Sequence, residues 1–279
     1  MNKTLFIADY FVEQILGGGE LNNDVLISSL RSQGIVVDCK NSHQVKESDI
    51  IKYDNFIVAN FVNLQETIKV LLQDRKYVIY EHDHKYLKSR NPSNYKNYIA
   101  PDDHIINRDF YKNATAILCQ SSFHANIVRK NLKLSNIISL GGNLWTEEQF
   151  KLLEQMSTVE KKEKHAIMKS FTKHKGTREA QQYCNSLGLQ HVLIPPQPAN
   201  DFIKDLGQYK TLVFFPQTPE TLSRIVVEAR MMGMSTKTTN NVGAIHEDWF
   251  EKKGLDLINY LRYNKKKEII NTILETLYE

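Results

Sequence analysis

Cysteine is scarce in this chain of 279 residues: there are three, Cys39, Cys119 and Cys184, and they lie far apart. No paired spacing suggests a disulfide framework or a zinc knuckle, so a reducing compartment is the simpler setting. Long apolar runs are missing as well. No window approaches the roughly 18 apolar residues that a spanning helix needs, and the opening MNKTLFIADYFVEQILGGGE is broken by Asp9 and Glu13 before a signal-peptide core could form. A cytoplasmic protein is expected. One-sided charge is also lacking: Lys+Arg 36 against Asp+Glu 32 leaves +4, too little and too dispersed to imply nucleic-acid binding without a concentrated patch. There is no internal repeat and no low-complexity tract.

What is present is ordinary globular composition, 41% hydrophobic and 24% charged, enough for a sizeable core. Short runs that are apolar on both faces alternate with helical-period segments: Leu5–Ala8, Ile35–Val37, Phe56–Ala59, Tyr77–Tyr80 and Ala116–Cys119, then His165–Met168, Val192–Ile194 and Leu212–Phe215. Such runs read as buried parallel strands, and the alternation as two α/β halves. Gly141-Gly142, an amphipathic helix and the charged run 159–164 mark the join, so residues 1–160 and 161–279 are taken as the two domains. At the C-terminus Leu257, Ile258 and Leu261, then Ile269, Ile270, Ile273, Leu274 and Leu277, give one apolar face per helix. These terminal helices would suit packing back on the first domain.

The most informative stretch runs from Phe214 and Pro216 through Glu220 to Glu228-Ala229. A buried strand enters a proline-bearing loop, and a helix expected over Leu222–Met232 would present unpaired first-turn N–H groups to an anion. Glu220 and Glu228 are separated by roughly 12 Å of axial rise if both are helical, too far for a carboxylate pair flanking a glycosidic bond but suited to two parts of one extended ligand. Two glutamates at this spacing also occur as an N-terminal cap plus a solvated side chain. A second stretch, Lys169 to Lys175-Gly176, places a basic loop between a strand and a helix. In the first half, Gly17-Gly18-Gly19-Glu20 follows the first strand without completing the G-x-G-x-x-G dinucleotide fingerprint. The strand Tyr77–Tyr80 ends in Glu81-His82-Asp83-His84, where an open parallel sheet places its ligands. Neighbours on an extended segment point to opposite faces, which argues against His82, Asp83 and His84 sharing a metal. Ser121 stands where it would cap the helix that follows the fifth run.

Together these stretches resemble the GT-B fold glycosyltransferases, specifically the retaining family 4-like (group 1) enzymes. The resemblance implies two Rossmann-like α/β/α domains with parallel sheets facing across a cleft, acceptor side first and nucleotide-sugar donor side second. It implies that a sugar passes from a nucleotide diphosphate sugar to a hydroxyl acceptor such as a glycan, a lipid-linked sugar or a small molecule, with retention and with no metal or other cofactor. Residue by residue it makes Glu220 the donor-sugar contact and Glu228 the ribose contact. The backbone of Thr221, Leu222 and Ser223, with Lys175 and Lys169, would serve the diphosphate. Gly18 and Gly19 belong to the loop that approaches the donor, His82 lies at the reacting centre, and Asp83, His84 and Ser121 fall on the acceptor side. Asn91-Pro92, residues 101–104 and Arg108-Asp109 would shape the acceptor cleft. Where many members carry Phe-Gly after the first glutamate this chain has Leu222-Ser223, and the family's arginine before Lys175 is absent. Lys161-Lys162, Lys173–Lys175 and Lys265–Lys267 would suit peripheral contact with an anionic membrane surface, though lysine runs are commonly a solvated face. Two alternatives stay open: a nucleotide-sugar enzyme that does not transfer, such as an epimerase, and a non-catalytic nucleotide-sugar binding protein of the same fold.

Overall fold

The computed structural model describes residues 3–15 and 17–278. Leu16 and the outer ends of the two expected domains therefore lie outside the described residues. Two compact units are present, Met1–Leu144 with Lys266–Glu279, and Trp145–Lys265.

The first unit is built on six parallel strands in the order β2-β1-β3-β4-β5-β6: β1 Lys3–Ala8, β2 Val36–Asn41, β3 Asn55–Val58, β4 Lys76–Glu81, β5 Ala116–Cys119 and β6 Ile137–Ser139. Successive side chains serve opposite faces. Leu5 and Ile7 join Phe56, Tyr77 and Ile117 on one face, against Ile68 and Val128. Phe6 and Ala8 join Val78, Tyr80 and Leu118 on the other. That second face is covered by Val25, Leu26 and Leu30 of the helix Gly18–Ser32 and by Ile269, Ile273 and Leu277 of the helix Lys266–Tyr278.

The second unit has four parallel strands in the order β10-β9-β7-β8: β7 Lys162–Met168, β8 His191–Ile194, β9 Tyr209–Phe214 and β10 Ser235–Thr238. Ala166, Leu212 and Phe214 meet Val226 and Val227 on one face, while Ile167 and Val213 meet Ala180 and Cys184 on the other.

The boundary falls at Leu144/Trp145, not at 160/161. The helix Glu147–Ser157 buries Phe150, Leu153 and Met156 in the second unit's core, and the charged run is no linker, because Lys162–Lys164 open β7. The two terminal helices also part company: Leu257, Ile258 and Leu261 lie in the second unit's core, whereas Ile269, Ile273 and Leu277 lie in the first's.

Candidate functional site

In the second unit the chain leaves β7 toward β8 on one side and later lays β9 on the other. The loops after β7 and β9 thus flank a topological switch point, where open parallel sheets leave a crevice beyond their strand ends. The β7 loop is closed by Thr177, whose hydroxyl accepts from Ser170 N (3.0 Å) and donates to Met168 O (2.8 Å). Gly176 has φ +70°, and a Cβ there would lie 1.8 Å from Phe215 O. Only glycine allows this approach of the two loops, and Gln217 N completes it by donating to His174 O (2.8 Å). The consequence is a pair that joins the two motifs: Lys175 Nζ lies 2.7 Å from Glu220 Oε1, both side chains half-buried.

Glu220 does not start a helix. Its N–H donates to Asn241 O (2.7 Å), its carbonyl accepts from Gly243 N (3.0 Å), and Leu222 O accepts from Ala244 N (3.0 Å). The segment is extended and stitched to the following loop, and the helix expected from Leu222 begins at Arg224 and ends at Met231. Ser223, just before it, has φ +77° and a buried hydroxyl with no partner. The N–H groups of Leu222 and Ser223 bond no other described residue. Two donors thus remain beside the Lys175–Glu220 pair. Glu228 is occupied within its own unit, accepting from Trp145 Nε1 (2.9 Å) and pairing with Arg224 Nε (3.3 Å), whose guanidinium stacks on Trp145. Lys169 is exposed, its ammonium 5.8 Å from the ring centroid of the almost fully exposed Phe171.

In the first unit the switch point lies between β1 and β3. Gly18 and Gly19 open the helix Gly18–Ser32, and Glu20 Oε1, after β1, accepts from Asn60 Nδ2, after β3 (3.4 Å). The helix start lies against His82, since a Cβ on Gly19 would be 3.5 Å from its ring. His82 Nε2 donates to Asn23 Oδ1 (2.6 Å) and Gln120 Nε2 donates to Nδ1, an arrangement that suits the neutral ring. Burial, then the charge of Lys85, pushes the His82 pKa down to about 3. The side chain is therefore a neutral hydrogen-bonding group. Asn23 Nδ2 beside it is buried without a partner.

Around it sits an ionic cluster. Glu81 is fully buried and accepts from Lys85, from Tyr111 Oη and from Asp83 N. Burial outweighs Lys85 and raises its pKa to about 7. Lys85 Nζ also reaches Asp83 (2.7 Å), and Arg90 Nε bonds the same carboxylate (2.9 Å). Against the pull of burial, these two cations hold Asp83 well below the ordinary carboxylate range. Burial works against the charge of Lys85 too, but the two carboxylates keep its pKa raised. His84 and Ser121 are interior groups and not open to an acceptor. His84 Nδ1 meets Tyr86 Oη (3.0 Å), while Ser121 Oγ caps the helix Ser122–Leu132 by accepting from His124 N (3.0 Å). Asn23, Lys85, Arg90 and Gln120 went unmarked by motif reasoning; the four-residue step from Glu81 to Lys85 was the one available signal. Among the described residues no group of three or more His, Cys, Asp and Glu side chains is placed to hold a metal ion, and no helix is long and apolar enough to cross a membrane.

No protein-family model and no curated protein sequence matches the chain. Solved structures do. HepE from Anabaena, crystallised with UDP and glucose, is 13% identical over 100% of this chain and 96% of its own, with a TM-score of 0.53. Sucrose-phosphate synthase from Thermosynechococcus elongatus is 9% identical over 99% and 95%, TM-score 0.58. The catalytic domain of starch synthase IV from Arabidopsis thaliana, bound to ADP and acarbose, is 11% identical over 100% and 95%, TM-score 0.56. At such identities the likeness establishes the fold: two parallel-sheet α/β units of the GT-B type.

Proposed function

We propose that the chain is a glycosyltransferase that moves a sugar from a nucleotide diphosphate sugar to a hydroxyl acceptor, with retention of configuration and without a metal ion. The observation that supports this reading is the Lys175–Glu220 pair at the switch point of the second sheet. A departing diphosphate gains charge as the sugar–oxygen bond breaks, and a cation with pre-aimed N–H groups stabilises that charge without reorganising. Lys175 and the N–H groups of Leu222 and Ser223 are such a set. Glu220 then serves the sugar hydroxyls, and Glu228 the ribose once its contacts with Trp145 and Arg224 are shared. In the transfer step the acceptor oxygen bonds the anomeric carbon, the bond to the diphosphate breaks, and the acceptor's proton passes to a leaving phosphate oxygen. His82 adds no charge of its own, because its ring is neutral and both nitrogens are held by Asn23 and Gln120. The Anabaena and Arabidopsis structures, which hold UDP with glucose and ADP with acarbose, favour a nucleoside diphosphate ligand here too.

The test is binding and slow hydrolysis of UDP-, GDP-, ADP- and dTDP-sugars without added metal. Wild type should bind and hydrolyse one donor class, Glu220→Ala should lower turnover more than affinity, and Glu228→Ala should weaken binding. Tight donor binding without release of nucleotide would make the chain a binding protein. No binding at millimolar donor would reduce the likeness to fold alone.

A further inference from the structure

Beside the Asp83 ion cluster the first unit opens a cavity of about 560 Å³. Its lining sets four cationic side chains, Lys69, Lys85, Lys88 and Arg90, against the single carboxylate of Glu66. Adding Asp83 and Glu81 behind the wall still leaves four cations to three carboxylates.

The cations differ in how far they are spoken for. Lys85 is committed to Glu81 and Asp83. Arg90 gives Nε and Nη2 to Asp83, which leaves the rest of its donor fork for another acceptor. Lys88 is exposed, and its ammonium contacts no described residue. Lys69 is the most telling. It is 6% exposed, and its Nζ bonds Glu66 Oε1 (2.6 Å) and Asn107 Oδ1 (3.1 Å). The Glu66 side chain, however, is 79% exposed. A buried ammonium is costly unless well paired, and a carboxylate in water pairs it weakly. An anion entering the cavity would complete its pairing.

The wall is built to stay in place. The bridge between Leu87 and Ile105, with Lys88 N donating to His104 O (3.1 Å) and Ile106 N to Tyr86 O (2.8 Å), ties its two sides. Asn107 links the lysines, accepting from Lys69 and donating to Lys85 O (2.9 Å). Arg90 and Asn107 both hold left-handed backbone, φ +53° and +55°, a conformation that the surroundings must stabilise in a non-glycine residue. The Phe61 ring centroid is 5.7 Å from the Lys69 ammonium and 5.4 Å from that of Lys85, and the ring with Val62 and Ile106 gives the cavity an apolar side.

We propose that this cavity binds an organic anion with an apolar body, its phosphate or carboxylate seated among Lys69, Lys88 and Arg90 and its body against Phe61. Taken with the transfer reaction above, and resting on that reading, the ligand is the acceptor, so the chain prefers an acidic acceptor. The test is calorimetric titration of phenyl phosphate, benzoate and neutral phenyl β-glucoside into wild type, Lys88→Glu and Lys69→Gln, with circular dichroism to confirm folding. Wild type should bind an aromatic anion at least tenfold more tightly than the glucoside, and the exposed change Lys88→Glu should weaken that binding tenfold while leaving the glucoside unaffected. Tighter phenyl phosphate points to a phosphorylated ligand and tighter benzoate to a carboxylic one. Equal binding of neutral and charged probes, or anion binding indifferent to Lys88→Glu, overturns the proposal. Donor hydrolysis separates the two failures: hydrolysis without anion binding sinks the cavity alone, and anion binding without hydrolysis sinks the transferase reading and the acceptor role with it.

Discussion

Lowering the pH from 7 to 5 should weaken the first unit far more than the second. His84 and His124 are buried there, and His82 has both ring nitrogens engaged. Burial is the main cause in each: His82 falls to about 3, His124 to about 4, and His84 well below its ordinary value. In the unfolded chain each takes a proton near pH ~6.5, so between there and the folded pKa the unfolded state binds more protons. Their contribution is complete above the unfolded pKa and is lost as the pH drops. From pH 7 to 5 a histidine shifted this far costs about 2 kcal/mol, so His82 and His124 together cost about 4 kcal/mol. Glu81 opposes them. With its folded pKa at about 7, it gains a proton in the folded state that the unfolded carboxylate refuses, which returns about 2 kcal/mol over the same interval. The net loss is about 2 kcal/mol, with His84 adding to it. Asp83 enters only below the ordinary carboxylate range, where protonating it would break its pairing with Lys85 and Arg90. Hydrogen exchange at the two pH values, corrected for intrinsic rates, reads this directly. Amides of β4 and β5 should lose protection, while those of β7 and β9, in a unit whose His165 and His191 are half-buried and whose His174 and His246 are exposed, should lose less. Unchanged or rising protection of β4 and β5 at pH 5 would refute the reasoning.

Three substitutions probe the backbone and the ion cluster. Ser223→Gly should stabilise the chain by about 1 kcal/mol, since relief of the left-handed backbone and loss of an unpartnered buried hydroxyl exceed the entropy cost of glycine; a lower denaturation midpoint would contradict this. Gly176→Ala should cost about 3 kcal/mol or more, because it adds left-handed strain to a backbone collision with Phe215 O; a midpoint within error of wild type would show that the loops can part cheaply. Lys85→Met should cost about 3–5 kcal/mol at pH 8 by stranding the buried Glu81, and less at pH 5, where Glu81 holds a proton; equal losses at both pH values would mean that Glu81 is not the group stranded.

The central strands were readable from the sequence, as were the edge strand β8 and the start of β2, whereas the edge strands β6 and β10 were not. β3 and β5 are buried at every position, and β4 at all but its first, because a central parallel strand is covered on both faces and reads as an unbroken apolar run. β10, Ser-Thr-Lys-Thr, has no buried residue, and β6 has three residues of which one is buried. Edge strands need little apolar surface, so their pairing is held by backbone bonds that composition does not advertise. The same reasoning accounts for β2, where the run at Ile35–Val37 marked only the start of a strand that continues through Asp38, Cys39, Lys40 and Asn41. The charged run 159–164 has a linker's composition, yet its Lys162–Lys164 are the solvent-facing start of β7, and the boundary lies earlier, at Leu144/Trp145.

For the candidate site, residue types were readable but partnerships depended on topology. Lys175 and Glu220 are 45 positions apart, and nothing local joins them. They meet because β7 and β9 are neighbours, and because Gly176 lets one loop rest on the carbonyl of Phe215. The departure at Leu222-Ser223 acquires its physical meaning only in three dimensions. Ser223 takes a positive φ without a glycine to ease it, at a cost in strain, and the N–H groups of Leu222 and Ser223 bond no other described residue. Strain of this kind persists only where the surroundings over-determine it. Here the stitching of Glu220 and Leu222 to residues 241–244 supplies that constraint. A substitution that frees this stitching should therefore relax Ser223 and disperse the N–H groups of Leu222 and Ser223 before it disturbs the sheet.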